Sequence, residues 1–242
     1  MSVLINCDMG ESFGLYSFGN DEALMPYIDQ ANVACGFHAS DPNHMARTVA
    51  LAAKYNVLVG AHVSLPDLQG FGRREMKIGR EELKNIILYQ IGALSAFCRG
   101  TGTELNHIKP HGALYGMATR NAEAAEAIAD ASCIYGLPVM GMAGTLHERV
   151  YGTKGAGFLA EFFADLTYSD EGTLIITREH EAVDPAVAAS RALQAVNEGT
   201  LTTAGGKVLP VKAVTICVHS DTPNAEDIAK AVRSALPQPN AA

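Results

Sequence analysis

A chain of 242 residues with 48% apolar residues can bury a large core, and a net charge of −8 with only 18 Lys and Arg lacks the footprint of a nucleic-acid binder. No apolar run approaches the roughly 20 residues of a membrane span, and residues 1–5 lead straight into polar ones without a signal-peptide pattern. The five cysteines, at 7, 35, 98, 133 and 217, are odd in number and include no CxxC pair, which speaks against a disulfide framework or structural zinc and for a reduced, cytoplasmic protein with a small-molecule ligand.

From the first residue onward, short β-branched runs alternate with amphipathic helical patterns, the signature of βα units and a mainly parallel sheet. Strands are expected at 3–6, 31–35, 57–61, 105–109, 138–141, 158–162 and 213–218. Asp41-Pro42 opens a helix that ends near Tyr55-Asn56, since Asp caps and Pro loses nothing at a first helical position. The next helix spans 80–99, with Glu81 and Glu82 at its positive end and Gly100 and Gly102 closing it. Further helices are expected at 121–135, leaving at Gly136, at 185–198, and after a Thr222-Pro223 cap. Residues 64–79, broken by Pro66, Gly70, Gly72 and Gly79, form a long loop of the kind that carries function, and 167–178 suggest a small hairpin arm. The whole of 1–236 reads as one domain and 237–242 as a disordered tail.

The polar residues gather at one end of the strands. Asp8 and Glu11 follow the first strand, His38 the second, His62 the third, Lys109 and His111 the fourth, Asp165 the sixth, and His219 and Asp221 the seventh. In a parallel barrel those ends meet at a single face, where such folds keep their chemistry. His107, two residues before Lys109, shares its side of the strand one layer deeper and is a supporting position. Other features are ordinary. The 152–157 and 205–207 stretches are Gly-rich with a Lys but do not fit a P-loop and read as turns; Cys7, Cys35 and Cys217 read as buried hydrophobes; Glu161 reads as half of a rim salt bridge, with an acid facing the barrel interior as the alternative; His44, His147 and His180 read as facing solvent.

Asn6-Cys7-Asp8-Met9-Gly10-Glu11, the 31–39 stretch ending Cys35-Gly36-Phe37-His38-Ala39, Gly60-Ala61-His62, Gly70-Phe71-Gly72-Arg73-Arg74 and Lys109-Pro110-His111-Gly112-Ala113-Leu114-Tyr115 resemble, in order, the motifs of the LamB/YcsF family. The resemblance implies an α/β fold, a single-domain (β/α)7-type irregular TIM barrel of the glycoside hydrolase/deacetylase superfamily. It also implies the opening of 5-oxoproline to glutamate with ATP and Mg, in company with 5-oxoprolinase B and C type subunits. The chain departs from the family pattern at Val63, where Pro is usual, at Ser40 and Ser220 in place of Gly, at Gly116 in place of Asn, and at Leu166, where Arg is common.

Opening a lactam needs an activated carbonyl, a base for water and an acid for the leaving nitrogen. Asp8, His38, His62, Lys109 and His111 are the catalytic candidates, with Glu11, Arg73, Arg74, Asp165 and Asp221 as substrate- or phosphate-binding residues. Lys109 with Arg73 or Arg74 would face the phosphate. Asp8, His38 and His62, one from each of three strands, form a set that could instead hold a divalent metal and leave positions for water and substrate. A stand-alone metal-dependent amidohydrolase or deacetylase and a non-catalytic metabolite-binding partner are the competing readings.

Overall fold

The computed structural model describes residues 3–175 and 181–237. The strands in chain order are β1 (Leu4–Met9), β2 (Gln30–Ala34), β3 (Leu58–Val63), β4 (Leu105–Pro110), β5 (Val139–Gly141), β6 (Phe158–Phe163), β7 (Thr167–Tyr168), β8 (Leu174–Ile175), β9 (Thr200–Thr202), β10 (Val208–Pro210) and β11 (Thr215–Val218). Seven of them close a barrel in the order β1-β11-β6-β5-β4-β3-β2, every pair parallel. This is the expected seven-stranded barrel. The β7–β8 pair is the small antiparallel arm, and β9–β10 adds a second hairpin that the sequence reading did not separate. The turn of that hairpin holds Gly205 and Gly206.

Around the barrel lie α1 (Asp21–Leu24), α2 (Pro42–Tyr55), α3 (Arg80–Thr101), α4 (Gly112–Ala118), α5 (Ala122–Tyr135), α6 (Leu146–Lys154), α7 (Pro185–Leu193) and α8 (Ala225–Ala235). The caps work as their chemistry requires. The Asp41 carboxylate accepts from the backbone N–H of Asn43 and His44, Asn121 does the same for α5, and Asn56, Gly102 and Gly136 end their helices in the left-handed conformation. Two expectations are corrected: the last helix starts at Ala225 with Asn224 before it, not at Thr222-Pro223, and Gly152, Thr153 and Lys154 belong to α6 rather than to a turn. The short α4, which the sequence reading did not pick out, follows Lys109-Pro110-His111 at once. Residues 238–242 of the expected tail, His180, and the 176–178 end of the expected arm lie outside the described residues.

Strand alternation sorts the side chains into two populations. Ile5, Cys7, Met9, Val59, Ala61, Val63, Ile108, Ile216 and Val218 are buried between strands and helices. The alternate positions Asn6, Asp8, Gln30, Asn32, His62, His107, Lys109, Glu161, Thr215 and Cys217 fill the barrel interior, also buried. A polar interior is tolerated only if its groups find partners; among the described residues, all of these are hydrogen-bonded except Glu161, which has the Lys109 ion pair instead. Thr215 Oγ1 donates to Gln30 Oε1 (2.9 Å), Asn6 Nδ2 to Thr215 Oγ1 (2.9 Å), and Asn32 Nδ2 to Asn6 Oδ1 (2.8 Å) and Asp8 Oδ1 (2.9 Å). His107 Nε2 donates to Asn32 Oδ1 (2.8 Å), one layer below Lys109. Its ring lies over Gly60, where a Cβ would sit 2.0 Å from Nε2, so any side chain at 60 would expel this histidine.

Candidate active site at the barrel mouth

β1 continues to Met9, three residues beyond the expected end, so Asp8 points into the barrel instead of lying on the loop after it. The β3–β4 register sets His62 beside Lys109, and the two strands deliver both side chains to the same depth. Lys109 Nζ donates to Asp8 Oδ1 (2.8 Å), Cys217 Sγ (2.9 Å) and Asn6 Oδ1 (3.3 Å), and pairs with Glu161 Oε1 at 3.1 Å. Burial works against its charge, but the Asp8 and Glu161 carboxylates outweigh it and hold the ammonium well above its usual range. Asp8 is likewise buried, yet His62 and Lys109 hold its carboxyl well below the usual range. Lys109 is thus an internal cation, fully engaged by the barrel wall.

Above it stands a second cluster. His62 Nε2 lies 3.3 Å from Asp8 Oδ2 and 2.9 Å from His111 Nδ1, and His38 Nε2 lies 3.0 Å from Glu11 Oε1. The His38 and His111 rings stack at 3.8 Å. Burial pushes both histidines well below the ordinary imidazole range, and burial followed by the Asp8 charge pushes Glu11 well up. The 64–79 loop folds over this cluster through Gly72. With φ +66° and a virtual Cβ 2.8 Å from both His111 Cδ2 and His38 Cβ, position 72 admits glycine alone.

The backbone settles the tautomers. His62 Nδ1 lies 3.0 Å from the Lys109 carbonyl and His111 Nε2 2.8 Å from the Phe71 carbonyl; a carbonyl only accepts, so both nitrogens carry hydrogen. The remaining nitrogens, His62 Nε2 and His111 Nδ1, then face each other at 2.9 Å. Two lone pairs so close require a positive centre between them: a hydrogen shared by the two rings, beside the Asp8 carboxylate, or a cation. Glu11, His38, His62 and His111 each bring one donor atom to within 4.8 Å of the others, a set that could hold a divalent metal, with backbone carbonyls orienting two of the imidazoles from behind. The Asp8, His38, His62 set expected from sequence is divided: His38 turns to Glu11, while Asp8 is taken by Lys109, Asn32 and His62.

The remaining candidates separate. Arg73 lines the mouth, its guanidinium 2.5 Å from Asp221 and over the Phe71 ring. Arg74 is turned outward and paired with Asp67, away from the mouth. Asp165 accepts from His219 Nδ1 at 3.0 Å and from its backbone N–H at 2.8 Å. Burial would lower the His219 pKa, but Asp165 raises it to about 8, and its other ring nitrogen lies 3.9 Å from Asp8 Oδ2.

Two expectations fail. Glu161 is inside the barrel against Lys109 rather than on the rim. His147, expected in solvent, is fully buried between helices and strands, accepting from the Met142 N–H at Nδ1 (3.1 Å) and donating from Nε2 to the Tyr115 carbonyl (3.1 Å). Sequence reasoning placed Glu161 in a rim salt bridge and left His219 out of the candidate site residues. The available signal was phase: Glu161 continues the alternation of polar residues seen at Asn6/Asp8, Gln30/Asn32 and His107/Lys109. The cysteines are free, as expected, and burial drives the Cys7, Cys35 and Cys217 thiols up, out of nucleophile range.

Comparison with known proteins places this geometry. A model described as the LamB/YcsF family matches residues 3–242. The chain is 45% identical over 242 residues to the lactam utilization protein lamB of Emericella nidulans, covering 98% of this chain and 95% of that one. It is 46% identical over 239 residues to the 5-oxoprolinase A subunit of Methylococcus capsulatus, covering 97% and 92%. The crystal structure of a lactam utilization protein from Thermus thermophilus superposes with a TM-score of 0.90 at 42% identity, over 97% of this chain and 96% of that one. Ser40 holds a φ of +74°, the left-handed conformation that a glycine adopts freely. Motifs, barrel and relatives agree over nearly the full length, and the chain belongs to the LamB/YcsF family.

Proposed function

We propose that this chain is the A-type subunit of an ATP-dependent 5-oxoprolinase, which opens the lactam ring of 5-oxo-L-proline to L-glutamate with ATP hydrolysis, alongside B- and C-type companion subunits. The observation that carries the reading is the pair of carboxylates at the barrel mouth driven in opposite directions, Asp8 down and Glu11 up, in a family whose curated members include proteins named for the A subunit of 5-oxoprolinase. Opposed pKa values in one site are how a protein holds a base and an acid ready at the same pH. In this reading Asp8, oriented by His62 Nε2 at 3.3 Å, takes the proton of the attacking water. Glu11, hydrogen-bonded to His38, returns a proton to the departing ring nitrogen. Phosphorylation of the carbonyl oxygen by ATP would activate it, C–N cleavage would leave an acyl phosphate, and a second water would release inorganic phosphate; Arg73, steadied by Asp221 at the mouth, is the cation suited to the phosphoryl charge. Lys109 keeps Asp8 ionised. The loop after β1 exposes Phe13, Leu15, Tyr16 and Phe18, and an apolar cluster on a loop beside the mouth suits a contact with companion subunits.

The test is glutamate release from 5-oxoproline by the reconstituted mixture with and without ATP. Release should need ATP and all three components, and Asp8→Asn should lower turnover about 100-fold while assembly persists. A complete mixture with no ATP-dependent release would sink the reading.

The converging lone pairs of His62 and His111 favour a second reading, a metal-dependent amidohydrolase with Glu11, His38, His62 and His111 as ligands. A divalent ion there would polarise the amide carbonyl and lower the pKa of a bound water. It predicts one equivalent of metal after dialysis against a zinc or manganese salt, lost in His62→Gln, and chelator-sensitive hydrolysis without ATP. Protein that retains no metal above buffer background would dismiss it.

A further inference from the structure

The pocket formed by His62, Lys109, His111 and His219 at the mouth has a volume of only about 40 Å³, room for a few waters at most. Beside it opens a cavity of about 860 Å³, in the range of small-molecule sites, and the two share Tyr115 and Leu174. The larger cavity lies under the β7–β8 and β9–β10 hairpins, with Met142, Leu174 and Leu209 among its apolar walls.

Two polar groups in its lining are left without hydrogen bonds. Among the described residues, neither the Tyr115 hydroxyl nor either Glu161 carboxylate oxygen has a hydrogen-bond partner, although Tyr115 is only 4% exposed and Glu161 2%. Glu161 has the Lys109 ammonium at 3.1 Å as an ion pair, outside hydrogen-bonding directions. Orphaned groups at this depth are rare and costly, because each forfeits its hydration. Both are also held in place. The Tyr115 ring is packed edge-on to His147 (4.7 Å) and Phe163 (5.5 Å), and Lys109 fixes the carboxylate. Burial and then the Glu161 charge push the Tyr115 phenol well up, so it stays a donor.

A donor and an acceptor in the lining of one cavity, close enough for the Glu161 charge to act on the Tyr115 phenol, match one kind of ligand edge. In a small lactam the ring forces the amide to be cis, so its N–H and C=O point out along the same edge; in an open-chain amide they point to opposite sides. We infer that the cavity beside the barrel mouth is the lactam-binding subsite, with Glu161 accepting from the ring N–H and Tyr115 donating to the ring carbonyl. The inference rests on the lactam reading above and adds to it the residues that read the ring. It also explains how product leaves: once the ring is open, the shared N–H/C=O edge no longer exists and both contacts are lost together. The ring methylenes lie against Met142 and Leu174.

The test is equilibrium binding to the purified chain, without ATP or companion subunits, using 2-pyrrolidinone, N-methyl-2-pyrrolidinone and 5-oxoproline as probes in calorimetry or saturation-transfer NMR. The N-methyl compound lacks the hydrogen offered to Glu161 and leaves the protein unaltered; it should bind at least about tenfold more weakly than 2-pyrrolidinone, as expected for a hydrogen bond to a charged group. Tyr115→Phe should weaken 2-pyrrolidinone about fivefold, and the methylated probe should keep its penalty in that variant. Equal binding of the two pyrrolidinones, indifference to Tyr115→Phe, or no binding of any lactam overturns the subsite. The failure of the functional reading shows separately, as absent glutamate release in the complete mixture.

Discussion

Lys109→Met should lower the folding stability of the chain by about 3–5 kcal/mol, a fall in Tm of roughly 6–20 °C for a protein of this size. The change keeps the volume of the side chain and removes only the charge, which leaves two carboxylates buried without their shared cation. Asp8 keeps Asn32 and His62, but Glu161 keeps no polar partner among the described residues. Without the ammonium Asp8 loses one of the two charges that hold its carboxyl well below the usual range, the other being His62. A depressed carboxyl gives stability that is full above the unfolded value of about 4 and is lost as pH falls below it, so the deficit relative to wild type should narrow as pH falls through about 4. Glu161→Gln in the same background removes one of the unpaired charges and should recover part of the loss. Thermal unfolding of the three proteins at several pH values measures all of this. A variant that melts within 2 °C of wild type would mean that the barrel interior does not depend on its central cation.

The importance of Lys109 could be read from the sequence, but its role could not. Local signals carried the helix starts at Asp41-Pro42 and Asn121 and the strand-to-helix alternation, because caps and periodicity involve neighbours along the chain. The collection of Asp8, His62, Lys109 and His111 at one end followed from topology alone, since parallel strands must share a C-terminal face. What stayed hidden depends on contacts across elements. Expecting outward cations for a phosphate, a reader gives Lys109 and Arg74 that task; the structure engages Lys109 with Asp8 and Glu161, and Arg74 with Asp67. The loop after β2 brings His38 to Glu11 from the loop after β1, a pairing that no spacing within either segment encodes. An apolar outside and polar inside along each strand also invert the usual pattern, so Glu161 among aromatic residues resembles a rim residue until its phase is compared with the other strands.

Acidification should destabilise the fold steeply, with two buried histidines contributing about 4 kcal/mol between pH 7 and pH 5. Burial lowers the pKa of His107 to about 3, with Lys109 adding to the effect, and burial lowers that of His147 to about 4. Both are therefore neutral in the fold at pH 5, whereas in the unfolded chain they take up protons below about 6.5. Groups depressed in this way give stability that is complete above the unfolded pKa and is lost as pH falls below it, about 2 kcal/mol each by pH 5. His219 runs the other way. Its value of about 8 means its contribution is full below the unfolded pKa and is lost as pH rises through 8, so on acidification it returns less than about 1 kcal/mol. Glu11, raised in the fold, also opposes the loss, and Asp8 adds to it only at lower pH. The histidine share is therefore isolated by difference. His147 lies away from the mouth, and Gln at this position can accept from Met142 and donate to Tyr115 without titrating. Denaturant unfolding at pH 7 and pH 5 should show His147→Gln losing about 2 kcal/mol less than wild type over that interval. Parallel losses in the two proteins would mean that His147 already carries its proton in the fold, against the hydrogen bond that its Nδ1 accepts from Met142 N–H.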